Sequence, residues 1–124
     1  MARRTKVLIV EDELIIAANL QLAFQNLGMD VLDPVVMGQE AVQVAIKEQP
    51  DIIFMDIRLV GTMDGIEAAT KIHSLKNIPV VFMSGYATEY MMERAQKAHP
   101  IDFLEKPVDI KKIKTIIDCL KETN

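Results

Sequence analysis

The apolar positions of this chain change period repeatedly. Residues 6–10 (Lys-Val-Leu-Ile-Val) form a short β-branched run ended by Glu11, the pattern of a strand buried on both faces. Residues 13–27 switch to a helical period, with Ile16, Leu20, Ala23 and Leu27 on one face and Gly28 as a C-cap signal. A second strand is predicted over 30–32, ending near Pro34. A second helix follows over 39–48, with Ala41, Val44 and Ala45 inward and Pro50 stopping it. Residues 52–55 read as a third strand, followed by a loop holding Gly61 and Gly65, and Ala68, Ile72 and Leu75 mark a third helix. Pro79 opens a fourth strand through Met83, a fourth helix spans 88–98, and 101–104 is a fifth strand. Ile110, Ile113, Ile117 and Leu120 stripe the last helix.

Five strands alternating with five helices are five βα units. They predict an α/β fold with a doubly wound five-stranded parallel sheet, (βα)5, helices on both faces. No segment repeats and no linker divides the chain, so residues 1–124 are expected to form one domain. A composition of 50% hydrophobic and 26% charged residues is globular rather than disordered. The formal net charge of −4 argues against a nucleic-acid partner, which would call for a basic face. Apolar runs of four residues are far short of the roughly 20 that cross a bilayer, so no membrane association is expected. The start lacks the apolar stretch of a secretory signal. A single cysteine, Cys119, excludes an internal disulfide and reads as packing late in an amphipathic helix. These features together predict a cytoplasmic protein.

In open parallel sheets ligands bind beyond the carboxyl ends of the strands, where strand order reverses. Here those ends read Glu11-Asp12, Asp56, Ser84 and Glu105-Lys106-Pro107. Carboxylates gathered on one rim repel by kilocalories, and a hard divalent cation with oxygen ligands offsets that repulsion. With a lysine and a hydroxyl beside it, such a site suits a phosphoryl group. Taken singly, the same residues have plainer readings. Glu11-Asp12-Glu13 fits a strand end and helix N-cap, Asp56 a solvated loop carboxylate, and Ser84-Gly85 a turn. Lys106 fits a surface charge before a helix-starting Pro107, and Phe103 a core aromatic. Their coincidence on one rim favours the site.

The pattern resembles the receiver domain of two-component response regulators, over essentially the whole chain. The resemblance lies in Val7-Leu8-Ile9-Val10-Glu11-Asp12-Glu13, Ile53-Phe54-Met55-Asp56-Ile57, Met63-Asp64-Gly65-Ile66-Glu67, Val80-Val81-Phe82-Met83-Ser84-Gly85 and Asp102-Phe103-Leu104-Glu105-Lys106-Pro107. It implies a flavodoxin-like fold and a phosphoprotein of a phosphorelay in signal transduction. Asp56 would be the phosphoacceptor, taking a phosphoryl group from a phosphohistidine. Asp12, Asp56 and the backbone carbonyl of Arg58 would ligate Mg²⁺, with Glu11 acting through a water on the metal. Ser84 and Lys106 would each hold a phosphoryl oxygen. Ser84 and Phe103 would form the switch that remodels the surface of helix four, strand five and helix five. The resemblance implies no separate substrate: the domain assists its own phosphorylation and dephosphorylation. Its partners would be a sensor histidine kinase or histidine phosphotransfer protein, and a downstream target at the switch surface, with a homodimer through that face as the alternative.

Several positions depart from the family pattern. The loop after Asp56 has Val60 where a proline is common, and one residue more before Asp64-Gly65, which bears on the Arg58 carbonyl. The switch aromatic is Phe103, without a hydroxyl, and His99-Pro100 replaces the usual Gly-Ala. Arg58 and Tyr86, each two residues beyond a site residue, are bulky and are expected to shield the acyl phosphate and lengthen its lifetime. The chain stops after the last helical stripe, so a stand-alone receiver is expected. Its partner face would carry Met91, Met92, Arg94 and Lys97 with Lys111, Lys112 and Lys114. Two rival classes are a flavin binder, disfavoured by acids where a phosphate loop would sit, and a degenerate receiver kept as a docking module. A magnesium-dependent phosphatase is a third, lacking its Asp-x-Asp after strand one. His73 and His99 read as separate surface residues with no spacing that supports metal ligation.

Overall fold

A computed structural model describes residues 3–122. The elements run β1 (Lys6–Val10), α1 (Leu14–Asn26), β2 (Asp30–Val31), α2 (Gly38–Glu48), β3 (Ile52–Asp56), α3 (Gly65–Leu75), β4 (Val80–Ser84), α4 (Glu89–Lys97), β5 (Asp102–Glu105) and α5 (Ile110–Glu122). The strands form one parallel sheet in the order β2-β1-β3-β4-β5. This is the doubly wound (βα)5 architecture expected from the sequence.

Alternation along the central strands sends side chains to two separate cores. Leu8, Val10, Ile53, Met55 and Phe82 pack with Ala41 and Ala45 of α2, Ala69 and Ile72 of α3, and Ala95 of α4. Val7, Ile9, Phe54, Val81 and Met83 pack with Leu20 and Phe24 of α1 and with Ile113 and Ile117 of α5. Strands β1, β3 and β4 are apolar almost throughout because both of their faces are covered. The small residues of α2 and α3 let these helices sit close to the sheet.

Several local expectations are corrected. Gly65 is not a loop residue but the first residue of α3. On α1, Leu20 is buried and Ile16 and Leu27 pack at the edge of the core as predicted, but the most buried residues beside Leu20 are Ala17 and Phe24, because Phe24 packs against Phe54 with ring centroids 4.8 Å apart. Leu75 closes α3 half exposed, and Cys119 is exposed rather than packed. Its helix turns Ile113, Ile116 and Ile117 inward, which leaves position 119 facing out. No helix among the described residues is long and apolar enough to cross a membrane.

Candidate functional site

The sheet leaves β1 in one direction and β3 in the other, so the crevice opens between their carboxyl ends. Asp56 is the last residue of β3 and Glu11 follows β1, while Ser84 ends β4 and Lys106 follows β5. The Lys106 amide donates to the Ser84 carbonyl at 2.8 Å, which continues the sheet one step into the site. Glu11 is 0% exposed and Asp56 is 5% exposed. Among the described residues, Glu11, Asp12 and Asp56 are the one group of carboxylates whose oxygens all lie within 4.8 Å of one another.

Lys106 reaches into this cluster. Its Nζ lies 2.5 Å from Glu11 Oε1 and 2.9 Å from Asp56 Oδ2, with the side chain only 14% exposed. The Asp56 contact is a hydrogen bond. The Glu11 contact is an ion pair, and Glu11 Oε1 is buried with no hydrogen-bond partner. The other Glu11 oxygen accepts from the Glu13 amide at 3.1 Å. Burial alone would lower the Lys106 pKa, but its bonds to Glu11 and Asp56 outweigh that and raise it above the ordinary lysine value. Lys106 is therefore a fixed cation. The Asp12 carboxyl is raised, first by burial and then by neighbouring Glu11. Three carboxylates against one ammonium leave a net charge of −2 in a mostly buried crevice. Three clustered carboxylates with that excess of negative charge fit a hard, oxygen-preferring cation such as Mg²⁺.

Above these groups lies a cleft of about 370 Å³ lined by Asp12, Asp56, Arg58, Ser84, Tyr86 and Lys106, among others. The Arg58 amide donates to Asp56 Oδ1 at 3.1 Å, which turns the chain just after β3. The Arg58 guanidinium sits 5.8 Å from the centre of the Tyr86 ring and beside the Met91 sulfur, so the two bulky side chains meet at the cleft. Ser84 is buried but is not hydrogen-bonded to Asp56. Its hydroxyl donates to the Tyr86 carbonyl at 2.8 Å and accepts from the Tyr86 amide at 3.1 Å. Phe103 is half-buried in β5, against the core of α2, α3 and α4. The structure thus brings together Glu11, Asp12, Asp56 and Lys106, puts Ser84 and Arg58 on the same cleft, and leaves Phe103 one strand away.

Sequence reasoning missed the support behind Asp56. Gly65 is the N-terminal residue of α3, and its amide donates to the Ile57 carbonyl at 2.8 Å. A Cβ there would fall on the Asp56 carbonyl oxygen, so only glycine lets α3 start against the end of β3. Asp64 and Glu67 form a capping box. The Asp-x-x-Glu spacing before an apolar run is the signal that finds it. Arg94 of α4 donates to Asp64 at 3.0 Å, so it faces α3 rather than the expected partner surface, an assignment that sequence spacing could not make.

A family model described as the response regulator receiver domain matches residues 7–118. The transcriptional regulatory protein PdtaR of Mycobacterium tuberculosis is 34% identical over 105 residues, covering 85% of this chain and 51% of PdtaR. This chain thus spans about half the length of that curated relative. The solved signal receiver domain of a modulated diguanylate cyclase from Desulfovibrio desulfuricans superposes with a TM-score of 0.91 at 34% identity, over 98% of this chain and 96% of that one. The receiver domain of the sensor histidine kinase PA1611 from Pseudomonas aeruginosa superposes with a TM-score of 0.84 at 26% identity. That match covers 95% of this chain and 98% of the other, whose structure has a magnesium ion coordinated in the active-site cleft.

Proposed function

The chain belongs to the response regulator receiver domains, the phosphoacceptor signalling domains of two-component systems, and we propose that Asp56 is the residue that accepts the phosphoryl group. The observation that carries this reading is the placement of Asp56 at the carboxyl end of the central strand, with Lys106 2.9 Å from its Oδ2 and two further carboxylates within 4.8 Å. We take residues 1–124 as this one domain.

An Asp56 carboxylate oxygen attacks phosphorus on a phosphohistidine of a sensor kinase or phosphotransfer protein. The O–P bond forms as the N–P bond breaks, and the histidine nitrogen takes that electron pair. Glu11, Asp12, Asp56 and the Arg58 carbonyl would hold Mg²⁺, which when bound supplies positive charge against that developing on the equatorial oxygens. Lys106 is already on Asp56, so it meets the incoming phosphoryl oxygen without reorganisation. Ser84 must exchange its bond to the Tyr86 carbonyl for one to the phosphoryl group. That exchange pulls the loop after β4 inward and opens space for Phe103 to turn toward the sheet edge. The surface of α4, β5 and α5 changes with it, and a downstream target reads the change. Arg58 and Tyr86 close over the acyl phosphate and slow its hydrolysis.

The test is intact mass after incubation with acetyl phosphate, with Mg²⁺, with EDTA, and for Asp56→Asn. One base-labile phosphate gained only by the wild type with Mg²⁺ is the expected result. No phosphate under any condition, together with no Mg²⁺ binding by calorimetry, would replace this reading with a docking module that has lost phosphorylation.

A further inference from the structure

The two histidines of this chain come together far from the acidic cleft. His73 lies in the last turn of α3, and His99 follows the C-cap of α4 in a left-handed conformation at φ 55°. They are 26 residues apart, yet their rings lie with centroids 5.2 Å apart and planes inclined by 37°. Both residues are exposed, so the rings are not held together by a shared core. Neither forms a hydrogen bond to a carboxylate or an ion pair among the described residues.

We propose that His73 and His99 form a second metal site, a two-histidine clamp for a borderline divalent transition ion such as Zn²⁺. Three observations converge on it. The first is separation. With metal–nitrogen bonds of about 2.0–2.1 Å, ring centres about 1.2 Å farther out and a tetrahedral angle of about 109°, two imidazoles on one zinc hold their centroids about 5.2–5.3 Å apart. The rings stand at that distance, which puts both imidazoles within reach of one ion. The second is the field. α3 and α4 both end at the pair, and the negative ends of their dipoles offset part of the positive charge that Lys76 and Lys97 bring there. The third is ligand type. Lys76 and Lys97 close the two helices, and no carboxylate joins the pair, so affinity rests on imidazole donors. That donor set selects Zn²⁺, Cu²⁺ or Ni²⁺ over Mg²⁺.

The site is independent of the acidic cleft. His73 precedes β4 and His99 precedes β5, whereas Ser84 and Lys106 stand at the far ends of those strands. At about 3.3 Å per residue, the four steps from Val80 to Ser84 separate the two ends of β4 by about 13 Å. A metal bound by the pair ties the end of α3 to the loop between α4 and β5. Water completes its coordination.

The experiment is calorimetric titration of the full chain with ZnCl₂ in excess Mg²⁺, which keeps the carboxylates occupied, with histidine ring NMR recorded alongside. Because these are the chain's two histidines, every imidazole signal reports on the pair. His73→Gln keeps a good helix former, and His99→Asn keeps a residue that tolerates positive φ, so both variants retain the fold. The expected result is one equivalent of Zn²⁺ bound with shifts at both imidazoles, at least a tenfold loss of affinity in either variant, and a rise in Tm with Zn²⁺ that the double variant lacks. Zn²⁺ affinity unchanged by both substitutions, or imidazole signals that do not respond to Zn²⁺, overturns the proposal.

Discussion

Replacing Asp12 by Asn should make the metal-free fold more stable and the magnesium-loaded fold relatively less so. Asp12 is half-buried and is not a helix cap: Glu13 occupies that position and makes no side-chain cap bond, so the substitution acts through charge. One of its carboxylate oxygens lies within 4.8 Å of an oxygen of Glu11 and of one of Asp56. At that separation each pair repels by about 3.5 kcal/mol at an effective dielectric of about 20, and by about 0.9 kcal/mol in water. Two such pairs bracket the gross repulsion between about 2 and about 7 kcal/mol. Attraction to Lys106 and solvent screening reduce the gain, so we expect Asp12→Asn to add about 1–3 kcal/mol at neutral pH in EDTA. The sign follows from titration. Burial and Glu11 raise the Asp12 pKa on folding, so its contribution is fully favourable below the unfolded value and is lost as pH rises through the folded one. The advantage of the variant is therefore largest at neutral pH and closes in acid. Urea unfolding in EDTA, across pH and then with Mg²⁺, measures all of this. Mg²⁺ should stabilise the wild type more than the variant. A variant no more stable than the wild type in EDTA at neutral pH, with unchanged m, would show that these carboxylates do not repel as their spacing requires.

Three further outcomes follow from the same geometry. Asp51 accepts from the Lys6 amide at 2.7 Å and pairs with Arg3, and the Arg3 hydrogen bond leads in holding its carboxyl below the ordinary value. That stability is present above the unfolded aspartate pKa and is lost as pH falls through the lowered one. Asp51→Asn should therefore cost about 1–2 kcal/mol at pH 7 and nothing in strong acid, by urea unfolding. Gly65→Ala places a methyl on the Asp56 carbonyl and should cost about 1–3 kcal/mol in thermal unfolding while slowing phosphorylation by acetyl phosphate. An unperturbed Tm would mean the loop yields freely. Arg58→Ala and Tyr86→Ala each open the cleft and should speed loss of the phosphoryl group from Asp56, read by intact mass over time; equal lifetimes in all three proteins would remove the shielding role.

Much of the fold was legible because its signals are local. β-branched runs such as residues 52–55 admit few alternatives once proline and glycine mark their ends. The polar residues at four strand ends were legible for the same reason, since a parallel sheet sends every carboxyl end to one rim. The readings that failed depend on what lies opposite. Phe24, outside the predicted stripe of α1, is fully buried because it packs against Phe54 of β3. Cys119 faces out because Ile113, Ile116 and Ile117 take the inward positions. Arg94 faces α3 because Asp64 is there to meet it.

From sequence alone, the order of strands and helices, the acidic rim and the residue types on it follow, because backbone propensity and apolar period act over a few residues. Tertiary structure decided which charges pair. It put Lys106 between Glu11 and Asp56 and left Glu11 Oε1 buried without a hydrogen bond. It also brought His73 and His99 side by side from 26 residues apart. Each of these depends on packing angles between elements distant in the chain, and no local period encodes such angles.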